Sequence, residues 1–369
     1  MKSPAAMEER HRTSTAASAA DCLHPPGSGV LAKVPLLRAD KVAKTYVSRS
    51  PSGRVIRTHA LAAADVDVWA GRSVGIAGES GSGKTTLLRL MLGLESPTSG
   101  RVRYRGIPLD ALDRGQQRQY RAAVQAVFQN PVSSFDPYEP IWKIVSEPMW
   151  ARYRVGPGER KERAAQLLDE VGLPESYLFH RPRQISGGEA QRIAIARALS
   201  CDPEIITLDE PVTSLDVPVR GRILELLVER ASSHQVTYVV VSHDLTPLRW
   251  LTDFTYIFYR GQLVEAGSTG AVLKSPLHPY TELLVRASLR VSAQQRNLPT
   301  PTPRRESAME RVPLDVGCPY RDRCPIAVEA CQAPQTLQHV DGGDHAVRCH
   351  IRSGGAAMPM LGDSKENIL

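Results

Sequence analysis

The chain has 369 residues, 42% of them hydrophobic and 23% charged, with a formal net charge of +7. That length allows a sizeable core and two or three domains, in a composition ordinary for a globular protein. No apolar run approaches the roughly 18 residues needed to span a bilayer. The N-terminus lacks the apolar core of a signal peptide, and the basic residues sit in no aromatic-rich nucleic-acid pattern. The chain therefore reads as cytoplasmic, touching a membrane only through a partner.

Residues 1–35 are rich in Ala, Ser, Pro and Gly without apolar periodicity, which predicts a disordered tail. The folded region begins near Leu36, with Tyr46 close behind, and Asp65-Val66-Asp67-Val68 alternates as a half-buried strand. A short apolar run from Val74 to Ala77 then leads into Gly78-Glu79-Ser80-Gly81-Ser82-Gly83-Lys84-Thr85-Thr86 and a segment of helical spacing. This loop fits G-x-x-x-x-G-K-[ST]. Its glycines let successive backbone N–H groups curl around an anion, and the following helix turns its positive end to the same anion. Lys84 supplies a point charge for β- and γ-phosphates, and the Thr85 hydroxyl is suited to Mg²⁺. A plain glycine turn accounts for a lone glycine pattern, but not for the strand before and the helix after. Gly93 is placed to cap the helix, and a turn at Pro97-Thr98-Ser99-Gly100 precedes a strand from Arg101 to Tyr104.

Residues 111–126 read as a polar helix, and Val127-Phe128-Gln129-Asn130-Pro131 ends an apolar run on a glutamine and a turn. A mostly helical stretch, broken at Pro174 and Pro182, predicts a subdomain at about 135–199. Glu204 to Leu208 and Thr237 to Val241 are continuous apolar runs, as expected of buried parallel strands. Strands alternating with helices around a phosphate loop predict an α/β fold with a largely parallel sheet.

Four further stretches carry chemistry. Asp209 and Glu210 end an apolar strand, where the first acid is placed to hold Mg²⁺ and the second to polarise a water. Ser214-Leu215-Asp216 falls in a loop, and His243 ends another strand. Ile185-Ser186-Gly187-Gly188-Glu189 opens an Ala- and Ile-rich helix, with Ser186 and Glu189 spaced as a capping box and a glycine pair at a positive helix end. Taken singly, each has a plain structural reading: a solvated turn, a structural histidine, a capped helix.

In their order these stretches resemble the nucleotide-binding subunit of an ABC transporter, over roughly residues 36–289. Gly78 to Thr85 resembles the Walker A loop, Ile205 to Glu210 the Walker B strand with its catalytic glutamate, and Ser186 to Glu189 the signature. Gln129 resembles the Q-loop, Ser214 to Asp216 the D-loop, His243 the switch histidine and Tyr46 the aromatic residue stacked on adenine. The resemblance implies a RecA-like ATPase core with an antiparallel β part and an inserted helical subdomain. It further implies ATP hydrolysis with Mg²⁺ at Thr85, Gln129 and Asp209, Glu210 as base, and His243 at the γ-phosphate. A second ATPase subunit, sister or identical, would complete each site with its signature. Two membrane permeases would be driven through the segment from Gln129 to Pro137 at the cytoplasmic face of the membrane, with a substrate-binding protein taking part indirectly. The signature departs from Leu-Ser-Gly-Gly-Gln at Ile185 and Glu189, and Val212-Thr213 stands before the D-loop. Glu189 turned back into its capping box leaves activity intact in this reading.

The form of the phosphate loop, the segment Phe128 to Pro137 and His278-Pro279-Tyr280-Thr281-Glu282-Leu283-Leu284 are similar to the peptide and nickel importer branch. Dipeptides, oligopeptides, nickel, another chelated metal or a small solute remain open as cargo, and the rival class is a non-transport ABC ATPase. Behind a linker at 291–313 come Cys318, Cys324, Cys331 and Cys349, spaced C-x5-C-x6-C-x17-C in an extension at 314–352, followed by a tail at 353–369 expected to be disordered. The spacing alone leaves metal binding and reduced structural thiols open. The resemblance adds a [4Fe–4S] cluster, which some peptide importer ATPases hold on this tail, with zinc as the alternative. His339, His345 and His350 read as surface residues, and Cys22 and Cys201 as bystanders.

Overall fold

The computed structural model describes residues 34–234, 236–291, 317–340 and 343–353. The tails expected at 1–35 and 353–369, the linker at 291–313 and Cys22 lie wholly or almost wholly outside them. The strands are β1 (Leu37–Arg49), β2 (Val55–Val68), β3 (Val74–Ala77), β4 (Ser99–Tyr104), β5 (Ile107–Pro108), β6 (Val124–Val127), β7 (Ile205–Asp209), β8 (Thr237–Ser242), β9 (Phe254–Tyr259), β10 (Gln262–Ser268), β11 (Gln338–His339) and β12 (Ala346–Val347). The helices are α1 (Lys84–Met91), α2 (Arg114–Ala123), α3 (Ile141–Val145), α4 (Glu147–Tyr153), α5 (Pro157–Glu170), α6 (Gly187–Leu199), α7 (Val217–His234), α8 (Leu245–Leu251), α9 (Thr269–Lys274) and α10 (Pro279–Val291).

Two sheets form. One is antiparallel, in the order β2-β1-β4-β5. The other has the order β11-β12-β10-β9-β3-β8-β7-β6. Its strands from β9 to β6 run parallel, while β10 and the β11–β12 hairpin join antiparallel. The central strands are apolar throughout because both faces are covered. Ile206, Leu208, Tyr238 and Val240 point into a core shared with the helical insert. Ile205, Val239 and Val241 point into a second core, closed by α1 and the antiparallel sheet.

Gly93 ends α1 as expected: its N–H donates to the Leu90 carbonyl at 3.0 Å, and the Leu94 N–H donates to Arg89 at 3.0 Å. The polar helix expected at 111–126 is shorter than predicted. A capping box of Asp113 and Gln116 starts α2, and the chain leaves the helix at Val124, whose backbone is extended. Val124 to Val127 then pair with Ile205 to Leu208 as the outermost parallel strand. Sheet pairing and burial of Val124 and Val127 outweigh the helical pattern there.

The C-terminal extension is part of the main sheet. Ala346 and Val347 pair with Ala266 and Glu265, and Cys318, Tyr320 and Cys331 join the core that the helical insert also enters, with Tyr320 against Tyr259 and Tyr280. The Glu265 carboxylate is fully buried. It accepts from the backbone N–H groups of Leu277 at 2.9 Å and His278 at 2.7 Å, and lies 2.7 Å from His345 Nε2. One carboxylate thus ties the extension to the turn before α10. Glu265→Ala strands those donors in the interior, and its cost should be about 3 kcal/mol; a lowered urea midpoint at unchanged slope would measure it.

Candidate active site

The phosphate loop joins β3 to α1. Gly78 has φ +151°, and a Cβ there would stand 2.1 Å from the Phe258 carbonyl oxygen. Gly83 has φ +99°, and a Cβ there would stand 2.5 Å from the carbonyl oxygen of Ala60. No side chain fits at either end of the loop. Lys84 is buried, and its Nζ donates to the carbonyls of Gly78 at 2.7 Å and Glu79 at 2.8 Å. Burial lowers the ammonium's pKa, while Glu210, Asp209 and Glu79 oppose that shift. Ser80, Gly81 and Thr85 are exposed, Thr86 is half-buried, and Ser82 is buried with its hydroxyl unpartnered.

Because β3, β8, β7 and β6 are neighbours running in one direction, their C-terminal ends share a rim. That rim brings the loop, His243, Asp209, Glu210 and Gln129 together. Asp209 is buried and hydrogen-bonded to the Thr85 side chain; burial, then the charge of Glu210, pushes its carboxyl up to about 6. Glu210 has φ +54°, a left-handed conformation uncommon for a residue with a side chain. Its N–H donates to the Val241 carbonyl at 2.9 Å. One carboxylate oxygen lies 2.6 Å from His243 Nδ1 and accepts the His243 backbone N–H at 3.0 Å. The other accepts the Thr213 hydroxyl at 2.9 Å. Gln129 is exposed just past β6.

The remaining predicted residues sit apart from this cluster. Tyr46 lies on β1 in the antiparallel sheet, where its hydroxyl donates to Glu95 at 2.7 Å and Lys44 stands 5.2 Å from its ring centre. Ser186, Gly187, Gly188 and Glu189 open α6, and among the described residues no hydrogen bond joins them to the phosphate loop. Ser186 and Gly187 are exposed. Glu189 is turned back as expected: it accepts the Ser186 N–H at 2.7 Å and also the Tyr177 hydroxyl at 2.6 Å. These bonds, that of Tyr177 first, lower its carboxyl pKa. The D-loop lies beside the signature, since a Cβ on Gly188 would stand 3.3 Å from the Ser214 carbonyl; Asp216 is exposed.

Sequence reasoning missed Thr213, Tyr280 and Arg323. The Glu79 N–H donates to the Tyr280 hydroxyl at 2.6 Å, and Arg323 donates to both Glu79 carboxylate oxygens, at 2.9 and 3.1 Å. No local pattern announces either contact. Tyr280 is 201 residues from Glu79 in the chain, and Arg323 is 244 away.

The metal reading of the cysteines finds no support among the described residues. Cys318, Cys331 and Cys349 are buried, Cys324 is half-buried, and all four are free thiols in one neighbourhood. Burial pushes the Cys318 thiol up to about 11, with the other three adding in the same direction. Among the described residues, however, no three His, Cys, Asp or Glu side chains converge to hold a metal ion. The four thiols are therefore not gathered as a ligand set for an iron–sulfur cluster or zinc. His345 is taken by Glu265, and His339 Nδ1 lies 2.9 Å from the Gly343 carbonyl. The residues expected to hold Mg²⁺ are of another kind. A hydroxyl and a carboxylate at the foot of a phosphate-binding loop suit a hard cation, and a cation there would offset the cost of ionising the buried Asp209.

Comparison with known proteins gives two family matches: "ABC transporter" over residues 61–213, and "Oligopeptide/dipeptide transporter, C-terminal region" over residues 264–331. The chain is 38% identical over 292 residues to the probable D,D-dipeptide transport ATP-binding protein DdpF of Escherichia coli, covering 79% of this chain and 89% of that one. It is 34% identical to the dipeptide transport ATP-binding protein DppF of Haemophilus influenzae, covering 84% and 94%. Among solved structures, an ATP-binding cassette dimer in a post-hydrolysis state bound to ADP and Pi is 31% identical, with a TM-score of 0.58 over 63% of this chain and 98% of that one.

The Asp209 carboxyl holds its proton more tightly in the fold, at about 6, than at its ordinary 3.8. Stability of the nucleotide-free protein therefore falls as pH rises through that window. At pH 7 Asp209→Asn should be more stable than wild type, by up to about 3 kcal/mol, and the gap should close below about pH 4. Urea unfolding of both proteins at the two pH values checks this.

Proposed function

Because the chain belongs to the ATP-binding subunits of ABC transporters, we propose that its ATPase activity powers the import of di- or oligopeptides. The peptide assignment is supported by the match of residues 264–331 to the oligopeptide/dipeptide C-terminal region and by the named activities of the relatives. The observation that carries the catalytic reading is the gathering of Lys84, Asp209, Glu210 and His243 at neighbouring strand ends.

In this reading the loop amides from Gly78 to Thr86 and the Lys84 ammonium hold the phosphates of ATP. Tyr46 stacks on the adenine. Thr85, Gln129 and Asp209 would hold Mg²⁺, which when bound neutralises phosphate charge. Glu210, its carboxylate fixed by Thr213 and His243, orients and polarises the water that attacks the γ-phosphorus. His243 spreads the charge developing on the γ-phosphate oxygens. The leaving group is ADP.

Ser186 and Gly187 of the signature are exposed, and no hydrogen bond among the described residues joins the signature to its own chain's phosphate loop. Ser186, Gly187, Gly188 and Glu189, with Asp216 beside them, cover the nucleotide of a second ATPase subunit. No helix among the described residues is long and apolar enough to cross a membrane. The chain sits on the cytoplasmic face of two permease subunits, touching them through the segment from Gln129 to Pro137, where Val132 and the nearby Tyr138 are exposed. A substrate-binding protein delivers cargo on the far side, and nucleic acid is no partner.

Glu210→Gln should retain MgATP and lose turnover by roughly 100-fold or more, read by nucleotide binding and phosphate release on one preparation. Near-normal turnover would remove Glu210 from the base role. The tagged chain should copurify with two multispanning permeases, and membranes expressing the complex should take up labelled dipeptide in an ATP-dependent manner.

A further inference from the structure

Glu79, the second residue of the phosphate loop, is gripped at every polar group. Its carbonyl accepts from Lys84, its N–H donates to Tyr280 on α10, and its carboxylate is taken by both arms of the Arg323 guanidinium. A two-bond fork fixes direction as well as distance. Arg323 is the last residue of a short 3₁₀ turn, Arg321–Arg323, directly before Cys324. Its N–H donates to the Tyr320 carbonyl at 2.9 Å, and three residues ahead of the turn the Cys318 N–H donates to the Cys331 carbonyl at 2.8 Å. One arm also reaches the Tyr259 hydroxyl at 3.3 Å. The ring of Tyr320 packs edge-on against Tyr259, with centres 5.2 Å apart, and stands 5.5 Å from Tyr280. The guanidinium is therefore aimed by the cysteine-bearing loop, and the Glu79 hydrogen bonds raise its pKa, the largest effect on it.

We propose that Arg323 is a positioning residue for nucleotide binding, through which the C-terminal extension holds the phosphate loop in its anion-accepting shape. This rests on the reading that the loop binds ATP. Two physical effects act together. The fork tethers the loop at Glu79, and it neutralises a carboxylate that would otherwise repel a polyphosphate at the rim of an anion site. The extension thereby bears on affinity for ATP without touching the attacking water.

The test is made on the full-length chain, by equilibrium binding of MgATP and steady-state hydrolysis. Arg323→Ala should raise Kd and KM for ATP about 10-fold, with kcat changing less than about two-fold. Adding Glu79→Gln to Arg323→Ala should recover part of the affinity, because the unpaired charge is gone. Arg323→Lys should fall between wild type and Arg323→Ala, keeping the charge and losing the fork. Should Arg323→Ala fail to fold, Arg323→Lys and the double variant carry the same comparison. Unchanged Kd in folded Arg323 variants, or a loss confined to kcat, overturns the proposal and leaves the ATP reading standing. Failure of the wild type itself to bind MgATP, like a Lys84→Ala control, overturns the ATP reading and the proposal with it.

Discussion

A buried ammonium organises the rim at the strand ends. Lys84 donates to two carbonyls of the loop that leads into it, so the loop closes on its own lysine. That closure demands backbone conformations and clearances available only to glycine at Gly78 and Gly83, where Phe258 and Ala60 stand too near for a Cβ. The buried charge must also be answered by opposite charge, and three carboxylates supply it: Glu210, Asp209 and Glu79. The acids at the end of β7, the close approach of β9 and β2, and the shape of the loop all meet around this cation.

The phosphate loop was legible because its physics is local: anion binding needs glycines, a lysine and a helix start within a few residues. The buried parallel strands were legible from continuous apolar runs. The turned-back Glu189 was legible from its spacing to Ser186, and the bonds between them bear this out. Its second anchor, Tyr177, was not, since that hydroxyl arrives from a separate 3₁₀ turn. Val124 to Ala126 read as the end of a helix because nothing between α2 and β6 marks a break; the neighbouring strand decides it. Arg323 was hidden for a stronger reason. Its partner is fixed by the path of the chain across the whole sheet, and no sequence pattern records that path. The cysteine spacing leaves metal binding and structural thiols open, and in the fold Cys318, Cys324 and Cys331 pack against the core.

Glu210 shows how backbone and chemistry are linked here. A left-handed residue that is not glycine costs roughly 1–3 kcal/mol and persists only where its surroundings hold it. The Val241 carbonyl holds its amide, while Thr213 and His243 hold its carboxylate. The turn that bends the chain away from β7 therefore sets the direction in which the acid points. Proline follows at Pro211, and the chain does not continue as strand.

The hairpin of β11 and β12 has a further role through its place at the end of the sheet. Beyond β10 it adds first Ala346–Val347 and then Gln338–His339, so the outermost strand is only two residues long. Without it, β10 would present unpaired backbone groups around Glu265 and Ala266 along an open border, the sort of surface on which foreign strands assemble. The extension is thus also a hem: it pairs with Glu265 and Ala266 and ends the sheet in a strand too short to invite growth.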